Sequence, residues 1–91
     1  MDVILLIAVE EIVKTVYVTD DATGEIVEQT VTVTFDPTII DKYSPDMKYT
    51  TYGKYQHVAV FLNRTKAEIL TAVNDIKSQE GVKELVNLVS Y

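Results

Sequence analysis

The stretch VKTVYVTDDATGEIVEQTVTVTF, residues 13–35, decides the fold. Two runs rich in β-branched residues flank Asp20-Asp21-Ala22-Thr23-Gly24, and such residues favour strands. Gly24 can take the positive φ that a tight loop needs, and aspartates are typical of turn starts. The stretch therefore predicts a β-hairpin. Its second strand alternates with a period of two, with Val27, Val31, Val33 and Phe35 on one side and Glu28, Thr30, Thr32 and Thr34 on the other.

The segment before the turn, DVILLIAVEEIVKTVYV at residues 2–18, fits two structures. We expect one long strand, bent near Glu10-Glu11, because β-branched residues dominate it. A helix over residues 2–14 is the alternative, since apolar pairs recur about every four residues. In the strand interpretation, a plain hairpin register places Val9, Val13 and Tyr17 opposite Phe35, Val31 and Val27.

The second half of the chain predicts a strand, a helix and a strand. YQHVAVFL, residues 55–62, is apolar on both faces, as a central strand is. The following helix begins with a capping box of Thr65 and Glu68 and stops at Gly81. Its predicted apolar stripe consists of Ile69, Leu70, Val73 and Ile76. VKELVNLVSY, residues 82–91, is expected to be a strand, with a helix as the alternative.

Together these elements predict an α+β fold in one small domain spanning residues 1–91. It combines a long β-hairpin with a β-α-β unit, so that about four strands carry one main helix on one sheet face. PTIIDKY, residues 37–43, predicts a short helical turn between the two parts. One helix cannot cover both faces of such a sheet. The second face must therefore be polar, meet residues 42–57, or meet another molecule.

The charge of the chain is unevenly distributed. The net charge is −6, yet residues 1–41 hold nine acidic side chains against Lys14 alone, whereas residues 42–66 are net basic. An acidic total argues against direct nucleic-acid binding, because a basic footprint supplies most of that affinity. The N-terminal apolar run is too short for a membrane helix and is preceded by Asp2 rather than a basic residue, so we expect a cytoplasmic protein without membrane contact.

The basic segment KYSPDMKYTTYGKYQH, residues 42–57, repeats Lys-Tyr three times at a spacing of six. Tyrosines offer rings and hydroxyls that bury area at little entropic cost, and lysines add charge. We predict a partner-binding surface here, and the alternative is a loop whose tyrosines cover the sheet. The predicted binding residues are Tyr43, Lys48, Tyr49, Tyr52, Lys54, Tyr55 and His57.

The residue types disfavour an enzyme, a metal site and a bound cofactor. His57 is the only histidine and there is no cysteine, so neither a nucleophilic triad nor a zinc site can be assembled in the usual way. The three glycines form no phosphate-binding loop.

We therefore expect a non-enzymatic, acidic protein-interaction module. In size, acidity and lack of a catalytic set, the chain is similar to small bacteriophage or mobile-element proteins that inhibit host factors, a likeness of composition that covers no alignable stretch. We expect this chain to act as an inhibitor or adaptor that binds another protein. A homodimer through an open sheet face or edge is compatible with this expectation. The alternatives are a self-assembling, virion-like structural subunit and a binder of small phosphorylated ligands that uses residues 42–57.

Overall fold

The computed structural model describes residues 1–90 and shows a mostly β protein with six strands in two sheets and two short helices. Its elements follow in the order β1 (Asp2–Val9), β2 (Ile12–Thr19), β3 (Ile26–Val33), α1 (Thr38–Asp41), β4 (Met47–Tyr52), β5 (Tyr55–Phe61), α2 (Lys66–Lys77) and β6 (Val82–Ser90). The expected strands at residues 2–18 and from residue 82 are confirmed over the helical alternatives, and Tyr91 lies outside the described residues.

The four-stranded sheet has the order β4-β5-β1-β6, and all its pairings are antiparallel. The predicted β-α-β unit is not confirmed, because β5 and β6 do not pair with each other. Both pair with β1, which lies between them. The central position of β1 has a simple cause: its residues are apolar on both sides, and such a strand is stable only inside a sheet.

The predicted single strand through Glu10-Glu11 is wrong, as is the expected count of about four strands. The chain changes sheets at these two residues: β1 enters the four-stranded sheet, while β2 pairs only with β3 among the described strands. Met47–Tyr52 adds a further strand within the tyrosine-rich segment. We call the separate ribbon of β2 and β3, residues 12–33, the arm.

The expected hairpin forms, but its predicted register is shifted by one residue. Val13 lies opposite Thr32 and Tyr17 opposite Glu28, instead of Val31 and Val27. The loop explains the shift: Asp20 N–H donates to Glu25 O at 2.7 Å, so Asp20 and Glu25 close a loop with an even number of residues between them. A one-residue shift exchanges the sides of a strand. Val27 and Val31 consequently share a side with Val18 and Lys14.

The hydrophobic core lies between α2 and one face of the four-stranded sheet. Its central members are Val3, Leu5, Ile7, Phe35, Ile40, Ala59, Phe61, Ile69 and Ile76. The predicted capping box of Thr65 and Glu68 is present, with both reciprocal hydrogen bonds. The predicted stripe is wrong at Leu70, which is 49% exposed, because the helix turns Ala72 inward in its place.

The base of the arm is tied to the loop between α2 and β6. Glu10 N–H donates to Gly81 O at 2.8 Å, and Lys14 forms an ion pair with Glu80. Phe35, which follows the arm, is buried beside Gly81. Neither described helix is long and apolar enough to cross a membrane.

Replacing Gly81 by alanine should destabilise the protein by about 3 kcal/mol, from backbone strain and steric overlap together. Gly81 has a φ of +89°, and an added Cβ would overlap the backbone nitrogen of Phe35 and lie 3.0 Å from its Cα. Gly24→Ala is the matched control, since Gly24 has a φ of +73° but open space around it, and should cost about 1–2 kcal/mol from backbone strain alone. Urea unfolding measures both, and equal losses would contradict the role of the Phe35 contact.

Candidate partner-binding surface

The face of the four-stranded sheet opposite α2 is apolar and only partly covered within residues 1–90, with Ile4 and Leu88 exposed. The register places Ile4, Leu6, Val58, Val60, Val86 and Leu88 on this side, which we call the open face. Leu88 is 52% exposed, whereas Leu6, Val58 and Val60 lie at the bottom of a groove of about 490 Å³. Strand β4 forms one wall of this groove with Tyr49, Thr50, Thr51 and Tyr52.

The open face follows from the sequences of β1 and β5. In both strands the two side-chain rows are apolar, so each strand has two surfaces that favour burial. Helix α2 buries only one of them, the side of Val3, Leu5 and Phe61. The other row forms the open face. A second face in need of cover was predicted from the sequence, but its residues were not. The signal that identifies them is the even-numbered row of β1, which includes Ile4 and Leu6.

The predicted binding residues do not form one surface. Tyr49 and Tyr52 line the groove on the open face, and Tyr49 is 54% exposed. Lys48 lies opposite Ala59 and thus on the side of α2. His57 lies on that side too, since it contacts Phe35, and Tyr43 packs against the core. The even spacing of the Lys-Tyr pairs therefore does not bring the side chains together, because the segment includes a helix end, two strands and a turn.

All three lysines of the Lys-Tyr pairs form ion pairs within the chain. Lys42 lies 3.2 Å from Asp75, Lys48 pairs with Asp41, and Lys54 lies 2.8 Å from Glu84. The hydrogen bond to Glu84 raises the pKa of Lys54. Lys54 also lies 5.4 Å above the half-buried Tyr55 ring. These contacts neutralise much of the basic segment, which gives little support to binding of phosphorylated ligands there.

Tyr43 joins the end of α1 to α2. Its hydroxyl donates a hydrogen bond to the Asp75 carboxylate, which raises the pKa of Tyr43 and lowers the pKa of Asp75. Its half-buried ring packs against the hydrophobic core. Tyr43 therefore packs on the α2 side of the sheet.

The arm is the second exposed apolar surface. The register places six branched aliphatic residues on one side of it: Ile12, Val16, Val18, Val27, Val31 and Val33. We call this the aliphatic side. Val18, Val27 and Val31 are exposed, and no strand of the four-stranded sheet pairs with the arm within residues 1–90. An isolated two-stranded hairpin is marginally stable in water, so the aliphatic side is a surface that gains from cover.

A polar hollow of about 670 Å³ lies beside α2, lined in part by Tyr43, Asn63, Arg64 and Glu68. The Arg64 guanidinium donates to the carbonyls of Leu62 and Ser44, both at 2.7 Å, and lies 3.4 Å from Asp46. Arg64 therefore joins the loop that precedes β4 to the loop that follows β5. Residues 1–90 contain no group of three or more His, Asp or Glu side chains placed to bind a metal ion.

In comparisons with known proteins, no family model, no curated protein and no solved structure matches this chain.

His57 should make the protein less stable as the pH falls from about 7 to 5. Burial lowers the pKa of His57 below its ordinary value, so the unfolded chain takes up the proton more readily than the fold does. The stabilisation is therefore present above about pH 6.5, the ordinary pKa of histidine, and is lost as the pH falls from there through the lowered pKa of His57. His57→Gln should remove this part of the pH dependence in urea unfolding, and parallel curves for the two proteins would contradict it.

Tyr43→Phe should lower the melting temperature, because it removes the hydroxyl that donates to Asp75. Tyr49→Phe is the matched control and should leave it unchanged, since the exposed Tyr49 hydroxyl donates to the weak acceptor Met47 Sδ, at 3.2 Å. The difference between Tyr43→Phe and the wild type should shrink as the pH falls through the lowered pKa of Asp75. Equal melting temperatures for both variants at neutral pH would show that the Asp75 contact does not stabilise the fold.

Proposed function

We propose that the protein is a non-enzymatic protein-interaction module that binds its partner through the open face and the arm. The observation that carries this proposal is the apolar groove on the open face, where Tyr49 and Tyr52 stand beside Ile4 and Leu88. Exposed apolar patches rimmed by polar groups are typical of protein interfaces. Tyrosine in such a setting often contributes strongly to binding energy.

The shape of the chain supports the same proposal. Its radius of gyration is 17.4 Å and its longest extent is 61 Å. A compact chain of this length would have a radius of about 12 Å. Its accessible surface is 6175 Å². A compact monomer of this mass exposes about 5,300 Å², so the chain carries an excess of roughly 900 Å². Such an excess is expected of a protein that is completed by a partner.

Inhibition or recruitment of another protein is the form of this function that the acidic composition favours. The aspartates of the arm loop, Asp20 and Asp21, lie at its exposed tip, and Glu25 closes the loop beside them. Acidic groups at the rim of an interface mainly steer association with a basic partner. The apolar surfaces would then supply most of the affinity.

A self-assembling structural subunit is the second candidate. Within residues 1–90, the arm has two unpaired strand edges, and the four-stranded sheet ends in β4 and β6. Unpaired edges are templates for pairing with further chains, and native proteins usually protect them. Assembly of identical copies would cover these edges.

Loss of partner capture should follow from changes on the open face. Tyr49→Ala combined with Leu88→Thr should weaken the binding of a protein captured from cells of the native source at least about tenfold, since buried aromatic anchors are worth 2 kcal/mol or more. Leu70→Thr is the matched control, because Leu70 is similarly exposed but lies on α2. Titration calorimetry with the purified partner measures the effect.

Lysine changes should matter less than tyrosine changes. Lys48→Ala and Lys54→Ala should reduce affinity less than Tyr49→Ala or Tyr52→Ala, and their effect should fall in high salt. A partner that binds the Tyr49→Ala/Leu88→Thr variant and the Leu70→Thr variant equally would contradict the proposed surface.

A further inference from the structure

We propose that a second copy of this chain covers the open face, and that the segment it contributes is the aliphatic side of its arm. In the resulting dimer each arm would lie on the other copy's open face. This inference rests on the proposed function, because it names the occupant of the same binding surface.

The two surfaces agree in size. Strands β2 and β3 have eight residues each, as does the central strand β1. At about 3.3 Å per residue each surface is roughly 26 Å long. A two-stranded ribbon can therefore lie along the groove of a four-stranded sheet and leave the outer strands at its sides. Sheets pack face to face at about 10 Å when the facing side chains are apolar.

Their chemistry also suits a partner with the same net charge. The chain carries −6, so two copies repel unless their contact avoids the acidic groups. Three acidic residues of the arm, Asp20, Asp21 and Glu25, lie at its loop, and Glu28 points to the side opposite the aliphatic one. The charged groups on the two facing surfaces already have partners: Lys14 pairs with Glu80, and Glu84 with Lys54. Asp2, at the end of the open face, accepts a hydrogen bond from Asn63 N–H at 2.9 Å.

The excess surface of the chain is similar to the area that each partner buries in a standard interface. The excess of roughly 900 Å² per chain is close to the 800 Å² or so that each partner contributes to an interface of standard size. Because every copy offers one arm and one open face, reciprocal docking makes two contacts. It would bury about 1,800 Å² in total if the excess is covered, within the range of specific interfaces.

Sedimentation velocity from low to high micromolar concentration tests the inference. The wild type should self-associate. The arm variant Val18→Thr/Val27→Thr/Val31→Thr should associate at least about tenfold more weakly, since it replaces apolar contacts but retains β-branched residues that keep the strands. Val13→Thr is the control: Val13 is 65% exposed on the other side of the arm and should have no effect. Circular dichroism establishes that each variant is folded.

Mixing two variants tests how the copies meet. The open-face variant Ile4→Thr/Leu88→Thr should also associate weakly, but an equimolar mixture with the arm variant should associate more tightly than either alone. One contact in the mixed dimer then joins a wild-type arm to a wild-type open face. If open faces stacked on each other, the arm variant would associate like the wild type, and this result would overturn the inference.

A monomer at every concentration would also overturn it. The proposed function would survive that result if a captured protein still depended on Tyr49 and Leu88, so the two failures are distinguishable.

Discussion

Helix α2 packs against one side of a sheet whose two sides are both apolar, and this imbalance is the constraint on which the rest of the structure depends. Helix α2 has twelve residues and is about 18 Å long. It covers the side of the sheet that carries Val3, Leu5 and Ile7. The other side, which carries Ile4 and Leu6, is the open face. The hydrophobic effect is not directional, so the second side favours burial as strongly as the first.

The arm adds a second surface of the same kind at the other end of the molecule. Its base is anchored mainly by Phe35, whose burial is worth about 1.5–3 kcal/mol. The solvent-exposed Lys14–Glu80 ion pair adds less than about 1 kcal/mol. Beyond that base, β2 and β3 pair only with each other within the described chain. The anchor fixes where the arm starts, whereas the order of its outer part depends on what covers the aliphatic side.

Local signals in the sequence predicted most of the elements, while their assembly depended on long-range contacts. The capping box at Thr65 and the two-sided strand at residues 55–62 were readable because each is encoded by neighbouring residues. The change of sheet at Glu10-Glu11 could not be predicted locally, since β-branched residues occur on both sides of it.

The predicted register of the hairpin was wrong by one residue, because a single additional residue in the loop changes it. The regular spacing of the Lys-Tyr pairs did not predict a shared surface, because residues 42–57 include a helix end, a turn and parts of two strands. A regular spacing places side chains on one side only within a single helix or strand. The open face was expected in principle, but its residues required the register of β1.

Hydrogen exchange of the backbone amides in residues 12–33, followed as a function of protein concentration, tests the central claim most directly. The amides that join β2 to β3 should exchange rapidly in dilute protein, where the aliphatic side is uncovered, and become protected together as the concentration rises. The amides of β1 should be protected throughout, because β1 is paired on both sides within the chain. Arm amides that are equally slow at the lowest concentration would show that the arm is stable without a partner. Amides that remain fast at the highest concentration would show that no second copy covers it.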